Sequence, residues 1–392
     1  MSTEPNPQAD VVPVVEPVET PSLFSTRAGA VGSPPQHYGN PLGEQRLLAA
    51  GGAIVDLSDR AVVTVTGPDR LTWLDSLTSQ AVAGLAPGDS AETLLLDPTG
   101  RLEHAIRVLD DGVTTWLLVD AAEGAPLAAW LDRMRFMLRV EVADRSADYA
   151  TIGTLAAAAA PLAGALEATA TAAPNGVALV WHDPWSSVVA GGHQYSHAAD
   201  HPGAGWTYSE VLVDRADAAA VASLASVPAA GTLALEALRI AAWRPRLTTE
   251  ADEKTIPHEL DWLRSAVHLT KGCYRGQETV AKVHNLGHPP RRLVMLHLDG
   301  SEGVLPAAGD AVLVPGESEA TEVGRITSSA IHHELGPIAL AVIKRSVDPA
   351  LDLVITSDGA SVAAAQEVIV PTDAGAEANV PRLPRLGAVR RT

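Results

Sequence analysis

A chain of 392 residues has room for two or three domains with sizeable cores, and 46% hydrophobic with 19% charged residues is a globular composition. A formal net charge of −19 argues against a general nucleic-acid binder, which presents a basic face, while leaving room for a local positive patch around an anionic ligand. The single cysteine excludes an intramolecular disulfide, and alone it cannot hold an iron–sulfur cluster or a structural zinc ion.

In chain order, residues 1–36 read as a disordered tail, rich in Pro, Glu and Thr, with no Lys or Arg before Arg27 and therefore no signal-peptide pattern. An α+β region is expected over 37–290. The β-branched run Ala61 to Thr66 predicts a strand, and Gly67-Pro68-Asp69 starts a helix with Leu71, Leu74 and Leu77 on one face; Trp73 reads as core. Three short strands follow (93–96, 104–109 and 115–119), separated by the turns Asp97-Pro98-Thr99-Gly100 and Asp110-Asp111-Gly112. A helix is expected over Ala125 to Leu138 and a strand over Val140 to Val142. This mixture implies an α+β fold built on antiparallel sheet.

The alanine-rich stretch Leu155 to Ala173 predicts a helix plus a loop, and 176–181 with 187–190 a strand pair. The uncharged run Tyr149 to Leu166 is broken by Gly153, Pro161 and Gly164, so it is too weak for a membrane span, and a soluble, cytoplasmic protein is expected. His193, His197 and His201 recur every four residues, but Gly191-Gly192 and Pro202 favour a loop over a metal-binding helix, and no metal is expected. Val211 to Val213 predicts a strand, Asp214 the cap of a helix to about Ser226, and Leu233 to Trp243 a further helix. Arg239 on that helix can snorkel or pair with Glu236. From 291 to 372 short apolar strands (293–298, 311–314, 322–328 and 338–343) between Gly/Pro/Asp turns predict a small β-barrel, and 373–392 a flexible tail.

The stretch with the most chemistry is Lys271-Gly272-Cys273-Tyr274-Arg275-Gly276-Gln277-Glu278. It sets the sole cysteine between two glycines and two cations, and a nearby cation raises the thiolate fraction of a cysteine. Gln277 onward predicts a strand or the start of a short helix. Cys273 is therefore the candidate reactive thiol, with Lys271, Tyr274, Arg275, Gln277 and Glu278 as its setting.

The octapeptide resembles the signature of the YgfZ family, Lys-Gly-Cys-Tyr, one variable residue, then Gly-Gln-Glu, and matches every fixed position. The resemblance runs from about residue 37 to about 346. It implies a glycine-cleavage T-protein-like folate-binding ring of two interleaved α+β units plus a C-terminal β-barrel. It also implies bound tetrahydrofolate and a role in assembly or repair of iron–sulfur cluster proteins. Cluster proteins or the assembly machinery would be its partners, with an indirect effect on tRNA modification and no direct contact with nucleic acid. Leu238-Arg239-Ile240 resembles the segment whose arginine faces folate, with Trp243 where a glycine is usual. Pro257-His258-Glu259 resembles an element near the same cavity, and Gly324-Arg325-Ile326-Thr327-Ser328 the barrel strand that closes over it. Arg239, Glu259 and His104 are the folate-site candidates this implies. One departure matters: where a T-protein aminomethyltransferase carries an Asp-Asp pair, this chain reads His104-Ala105, and alanine cannot move a proton. That weighs against the alternative, a folate-dependent aminomethyltransferase-like one-carbon enzyme.

Overall fold

The structure, a computed structural model, describes residues 20–156, 166, 170–301, 303–316 and 320–378. Residues 20–36, expected as part of a disordered tail, are instead packed. Phe24 is buried, its amide donates to the Asp56 carboxylate, and Arg27 donates to the carbonyls of Leu224 and Val227. A buried aromatic and a carboxylate that accepts main-chain amides outweigh the polar composition of this stretch.

Helix α1 (Pro41–Ala49) is capped by Asn40, whose side chain accepts from Gly43 N. After it come β1 (Ile54–Asp56), β2 (Ala61–Thr66), α2 (Arg70–Leu77), β3 (Ser90–Leu96), β4 (Leu102–Asp110) and β5 (Thr114–Val119). Next are α3 (Ala121–Met134), β6 (Glu141–Asp144), β7 (Tyr149–Leu155), β8 (Val180–His182) and β9 (Tyr208–Asp214). The α+β part closes with α4 (Ala218–Leu224), β10 (Ala229–Ala230), α5 (Thr232–Ala241), α6 (Leu247–Glu250) and α7 (Gln277–Leu286). Two five-stranded sheets result, in the orders β10-β1-β7-β9-β8 and β3-β4-β5-β2-β6. The second sheet consists of the consecutive strands β2–β6, set between β1 and β7–β10 of the first, so one α+β unit is inserted within the other. Strands β11 (Arg291–Leu298), β12 (Ala311–Val314), β13 (Thr321–His332), β14 (Gly336–Lys344), β15 (Leu353–Ser357) and β16 (Ala360–Val368) close a six-stranded antiparallel barrel.

The local reasons are visible in the sequence. The β-branched β2 pairs antiparallel with β5 along its whole length. A capping box between Asp120 and Glu123 starts α3, which lays Leu127 and Leu131 on the core beneath the second sheet, together with Trp73 and Leu74 of α2. Helix α3 stops at Met134 instead of Leu138. Phe136 takes a left-handed φ of 44°, and Phe136 and Met137 are exposed at 82% and 97%, so no apolar face remains to prolong the helix. The cap of α4 is Asp217, which accepts from Ala219 N and Ala220 N; Asp214 accepts from Ala216 N in the turn before it. Of the strand pair expected at 176–190, only β8 forms, and the predicted helix over 155–173 falls largely outside the described residues. The chain does not loosen at 373: Ala374 is buried, its carbonyl meets His288, and Glu377 N donates to the carbonyl of His284 in α7. Among the described residues no helix is long and apolar enough to cross a membrane.

Candidate functional site

The cysteine loop joins a 3-10 turn at Trp262–Arg264 to α7. Gly276 caps that helix with φ 82°, and a Cβ there would stand 2.6 Å from the carbonyl of Asp97, so the loop demands glycine at this point. The thiol of Cys273 is exposed. Its neighbours build the loop. The Lys271 ammonium donates to the carbonyls of Asp75, Thr78 and Gln80 at 2.6, 2.9 and 2.7 Å and lies 3.3 Å from the Asp75 carboxylate. Burial lowers its pKa, against the pull of Asp75. Tyr274 is buried with its hydroxyl pKa raised by desolvation, and Lys271 sits 5.5 Å over its ring. Arg275 pairs with Glu103 of β4 and lies over Trp130 of α3. Gln277 Nε2 reaches back to the carbonyls of Lys271 and Gly272, and Glu278 is exposed in the first turn of α7. The two cations expected to activate the thiol are thus both matched by other partners, and their observed work is to hold the loop.

The large cavity is elsewhere. It has a volume of about 670 Å³ and lies where the two sheets meet α3, α5 and α6. Neither Cys273 nor Tyr274 lines it. The two places are joined by one face of β4: Glu103 holds the cysteine loop, while Ala105 and Arg107, two and four residues on, line the cavity.

The cavity wall is a lattice of opposite charges. Arg60 pairs with Glu210; Arg107 lies 2.9 Å from Asp120 and 3.3 Å from Glu210. Arg244 is held by Glu92 at 2.6 Å and Asp183 at 2.9 Å. Burial alone would raise the Asp120 carboxyl, but Arg107, Arg60 and Arg246 outweigh it and hold it well below the usual range. Two polar atoms in this wall lack a hydrogen-bond partner, Glu210 Oε2 and Arg246 Nε. Apolar contact comes from Trp206, stacked on Tyr208 at 5.1 Å, and from Trp262 and Leu235.

The folate candidates divide. Arg239 lines the cavity, but its guanidinium is consumed by Glu236, by Glu250 at 2.8 Å, by Ser328 at 2.7 Å and by the carbonyl of Arg244. It is a clamp between α5, α6 and β13, which also gives Ser328 its role. Glu259 is wholly buried outside the cavity and binds Arg291 at 2.8 Å, fastening the barrel to the α+β part. His104 stands behind the wall with Nδ1 3.1 Å from Glu123 Oε1, and that carboxylate also lies 3.4 Å from Ala105 N. Glu123 lines the cavity, so α3 supplies a carboxylate beside Ala105 of β4. Trp243 is buried at φ 58°, a left-handed conformation that favours the glycine usual in the resembled family. Its ring packs on His201 and does not line the cavity. His193, His197 and His201 lie in a loop, and no group among the described residues could hold a metal.

With this geometry in place, comparison with solved structures decides the fold. The fold is that of a glycine cleavage T-protein. The chain is similar to the glycine cleavage system aminomethyltransferase T from Bartonella henselae, with a TM-score of 0.66 over 89% of this chain and 95% of that one, at 19% identity. No family model matches the chain. Within this T-protein fold, Arg60, Arg107, Tyr208 and Glu210 had not been singled out from sequence. The signal was present for Glu210: an acid on a strand that runs on into Val211-Leu212-Val213 is buried, and a buried acid needs partners.

Proposed function

We propose that the protein is a tetrahydrofolate-binding factor of the YgfZ type, serving the assembly or repair of iron–sulfur proteins through Cys273. The observation that carries the folate half is that Glu210 Oε2 and Arg246 Nε in the cavity wall make no hydrogen bond, Arg246 having only longer ion pairs to Asp120 and Glu236. A pterin presents adjacent N–H donors that a carboxylate such as Glu210 accepts, and a folate tail presents carboxylates that Arg246 can meet. Trp206, Tyr208 and Trp262 offer faces for the flat rings, and a volume of about 670 Å³ falls in the range of small-molecule sites. Tetrahydrofolate supplies, when bound, a carrier for one-carbon units and a reductant. The chain's own residues do the rest: Arg60, Arg107 and Tyr208 fix the Glu210 carboxylate, and the paired arginines keep the acidic wall from repelling an anionic ligand.

The cluster half rests on the exposed thiol held on a braced loop outside the cavity, where a partner protein can reach it. Cluster iron takes several thiolates, so the partner would hold most of any cluster. Calorimetric titration with tetrahydrofolate should give binding that Glu210→Gln removes and Cys273→Ala retains. Cells lacking the native gene should recover cluster-enzyme activity with the wild-type chain and not with Cys273→Ala. Full recovery with Cys273→Ala would end this reading.

A second reading, a one-carbon transferase, is favoured by the Glu123 carboxylate beside Ala105. Methylene-tetrahydrofolate and ammonia formed from an aminomethyl carrier would establish it.

A further inference from the structure

Single exposed apolar side chains are ordinary on a protein surface, but a run of them is not. Phe136, Met137 and Leu138 follow one another between α3 and β6 and are exposed at 82%, 97% and 42%. Among the described residues the next most exposed large apolar side chain after Phe136 and Met137 is Leu286, at 64%. The backbone holds this knuckle in place. Phe136 takes a left-handed φ of 44°, which a bulky side chain rarely adopts, and it gains no burial in return. Leu138 N donates to the carbonyl of Arg135 at 2.9 Å and closes the turn. Asp69 then fixes Arg139, accepting from its amide at 2.9 Å and from its guanidinium at 2.7 Å. Gly67 lets the chains approach, since a Cβ there would stand 2.1 Å from the carbonyl of Arg139. A knuckle fixed in this way loses little freedom when a partner covers it.

The knuckle shares its supports with the cysteine loop. Helices α2 and α3 lie on the same face of the second sheet, where Trp73, Leu74, Leu127 and Leu131 form one core. Asp69, at the start of α2, holds the knuckle, while the carbonyls of Asp75 and Thr78, at its other end, accept from Lys271. Trp130 of α3 lies 5.5 Å from the guanidinium of Arg275. The path from Phe136 through Trp130 and Arg275 to Cys273 is on the order of 30 Å at most.

We propose that the outer face of α2 and α3 is the docking surface for the iron–sulfur protein that meets Cys273, with Phe136 and Met137 seated in an apolar pocket of that partner. The proposal rests on the reading of Cys273 given above. The three apolar side chains offer on the order of 400 Å², whereas a stable complex covers about 800 Å² of each partner. The remaining contact is available toward the cysteine loop. A patch of this size suits a partner that docks and leaves, and falls short of a permanent dimer of this chain.

The test uses the full-length protein in cells lacking the native gene. A benzoyl-phenylalanine photocrosslinker replaces Met137, and in a separate experiment diamide traps Cys273 as a mixed disulfide. Both routes should capture the same iron–sulfur protein. Phe136→Ser combined with Met137→Ser should lower the disulfide capture at least tenfold, while tetrahydrofolate binding and the reaction of Cys273 with a small disulfide reagent stay as in wild type. Phe136→Gly should unfold at or above the wild-type temperature, because glycine accepts the left-handed backbone, and should show a loss of capture as well. A lower midpoint would make Phe136 a residue of the fold and overturn the proposal. So would disulfide capture that the double variant leaves unchanged, or photocrosslinks to a second copy of this chain only. Co-sedimentation with lipid vesicles that the double variant loses would assign the knuckle to a bilayer, against the proposal. Cluster-enzyme activity restored by Cys273→Ala but not by the double variant would end the thiol reading and support the surface; the opposite pattern would do the reverse.

Discussion

Replacing Arg239 by alanine tests the reading of that residue as a clamp. The change removes a buried cation and leaves Glu250, which has no exposed surface, as an unbalanced charge. Breaking one side of a buried ion pair costs about 3–5 kcal/mol. Glu250 keeps hydrogen bonds from Ser328, Thr249 and the Arg246 amide, which places the expected loss near the lower end, about 3 kcal/mol. The assay is urea unfolding followed by tryptophan fluorescence and circular dichroism. A pH series adds a second check. Burial alone would raise Glu236, but Arg239 outweighs it and holds the carboxyl at about 2, against an ordinary 4.5. A depressed acid gives stability that is present above pH 4.5 and lost as pH falls through about 2. The gap between wild type and variant should therefore narrow over that window. A loss below about 1 kcal/mol at neutral pH, or a gap that stays constant to pH 2, would refute the clamp. Loss of folate binding in Arg239→Ala alone would say little about contact, because the variant loosens three elements at once; Glu210→Gln is the sharper probe.

Four more outcomes are expected. Asp261 is fully buried, and burial raises its carboxyl from 3.8 to about 7, so it favours the fold below pH 3.8 and loses that contribution as pH rises through about 7. Asp261→Asn should therefore stabilise the protein more at pH 8 than at pH 5, by about 1–3 kcal/mol in urea unfolding, and an equal effect at both pH values would count against it. Trp243→Gly relieves left-handed strain of about 1–2 kcal/mol but empties a site whose loss costs about 3–5, so the variant should be about 2 kcal/mol less stable; a more stable variant would mean that strain dominates. Cys273 should react fully with a water-soluble disulfide reagent in the native protein, at a rate that saturating tetrahydrofolate does not change; protection by the ligand would put the thiol in the cavity. Lys271→Met leaves three loop-facing carbonyls without their donor, so amide exchange across 271–276 should quicken at least tenfold, with the barrel amides unaffected.

The fold was legible where local pattern and tertiary need agree. The β-branched run of β2, the turn at Asp110-Asp111-Gly112 and the apolar strands after Arg291 all stand in the structure. The octapeptide led to a braced loop with an exposed thiol. What stayed hidden depends on partners far away in sequence. Lys271 looked like an activator of its neighbour, yet its charge belongs to the end of α2, roughly 190 residues earlier. The pairing of Arg239 with Glu236 was legible one helical turn away, but its second acid, Glu250, lies on another helix. The polar stretch at 20–36 gave no warning of Phe24 as a core residue. β16 escaped notice because its alanines carry little of the bulk by which strands are read, whereas the missed β15, Leu-Val-Ile-Thr-Ser, carried an ordinary β-branched strand signal.

The insertion of the second sheet between β1 and the rest of the first also bears on how the chain is made. β1 finds its parallel neighbour β10 about 175 residues downstream, so the first sheet stays open until most of the α+β region has left the ribosome. For that period the edge of β1 and the apolar faces of β7 and β9 lack their final cover, and pairing over such separations is slow. The first sheet cannot be excised by a single cut, because β1 and its neighbours lie on either side of the second sheet in sequence. Fragments ending near residue 150 should therefore be targets for chaperones and proteases during synthesis. Dissection of the first sheet must proceed by point substitution, whereas the barrel and the second sheet are each built of strands contiguous in sequence.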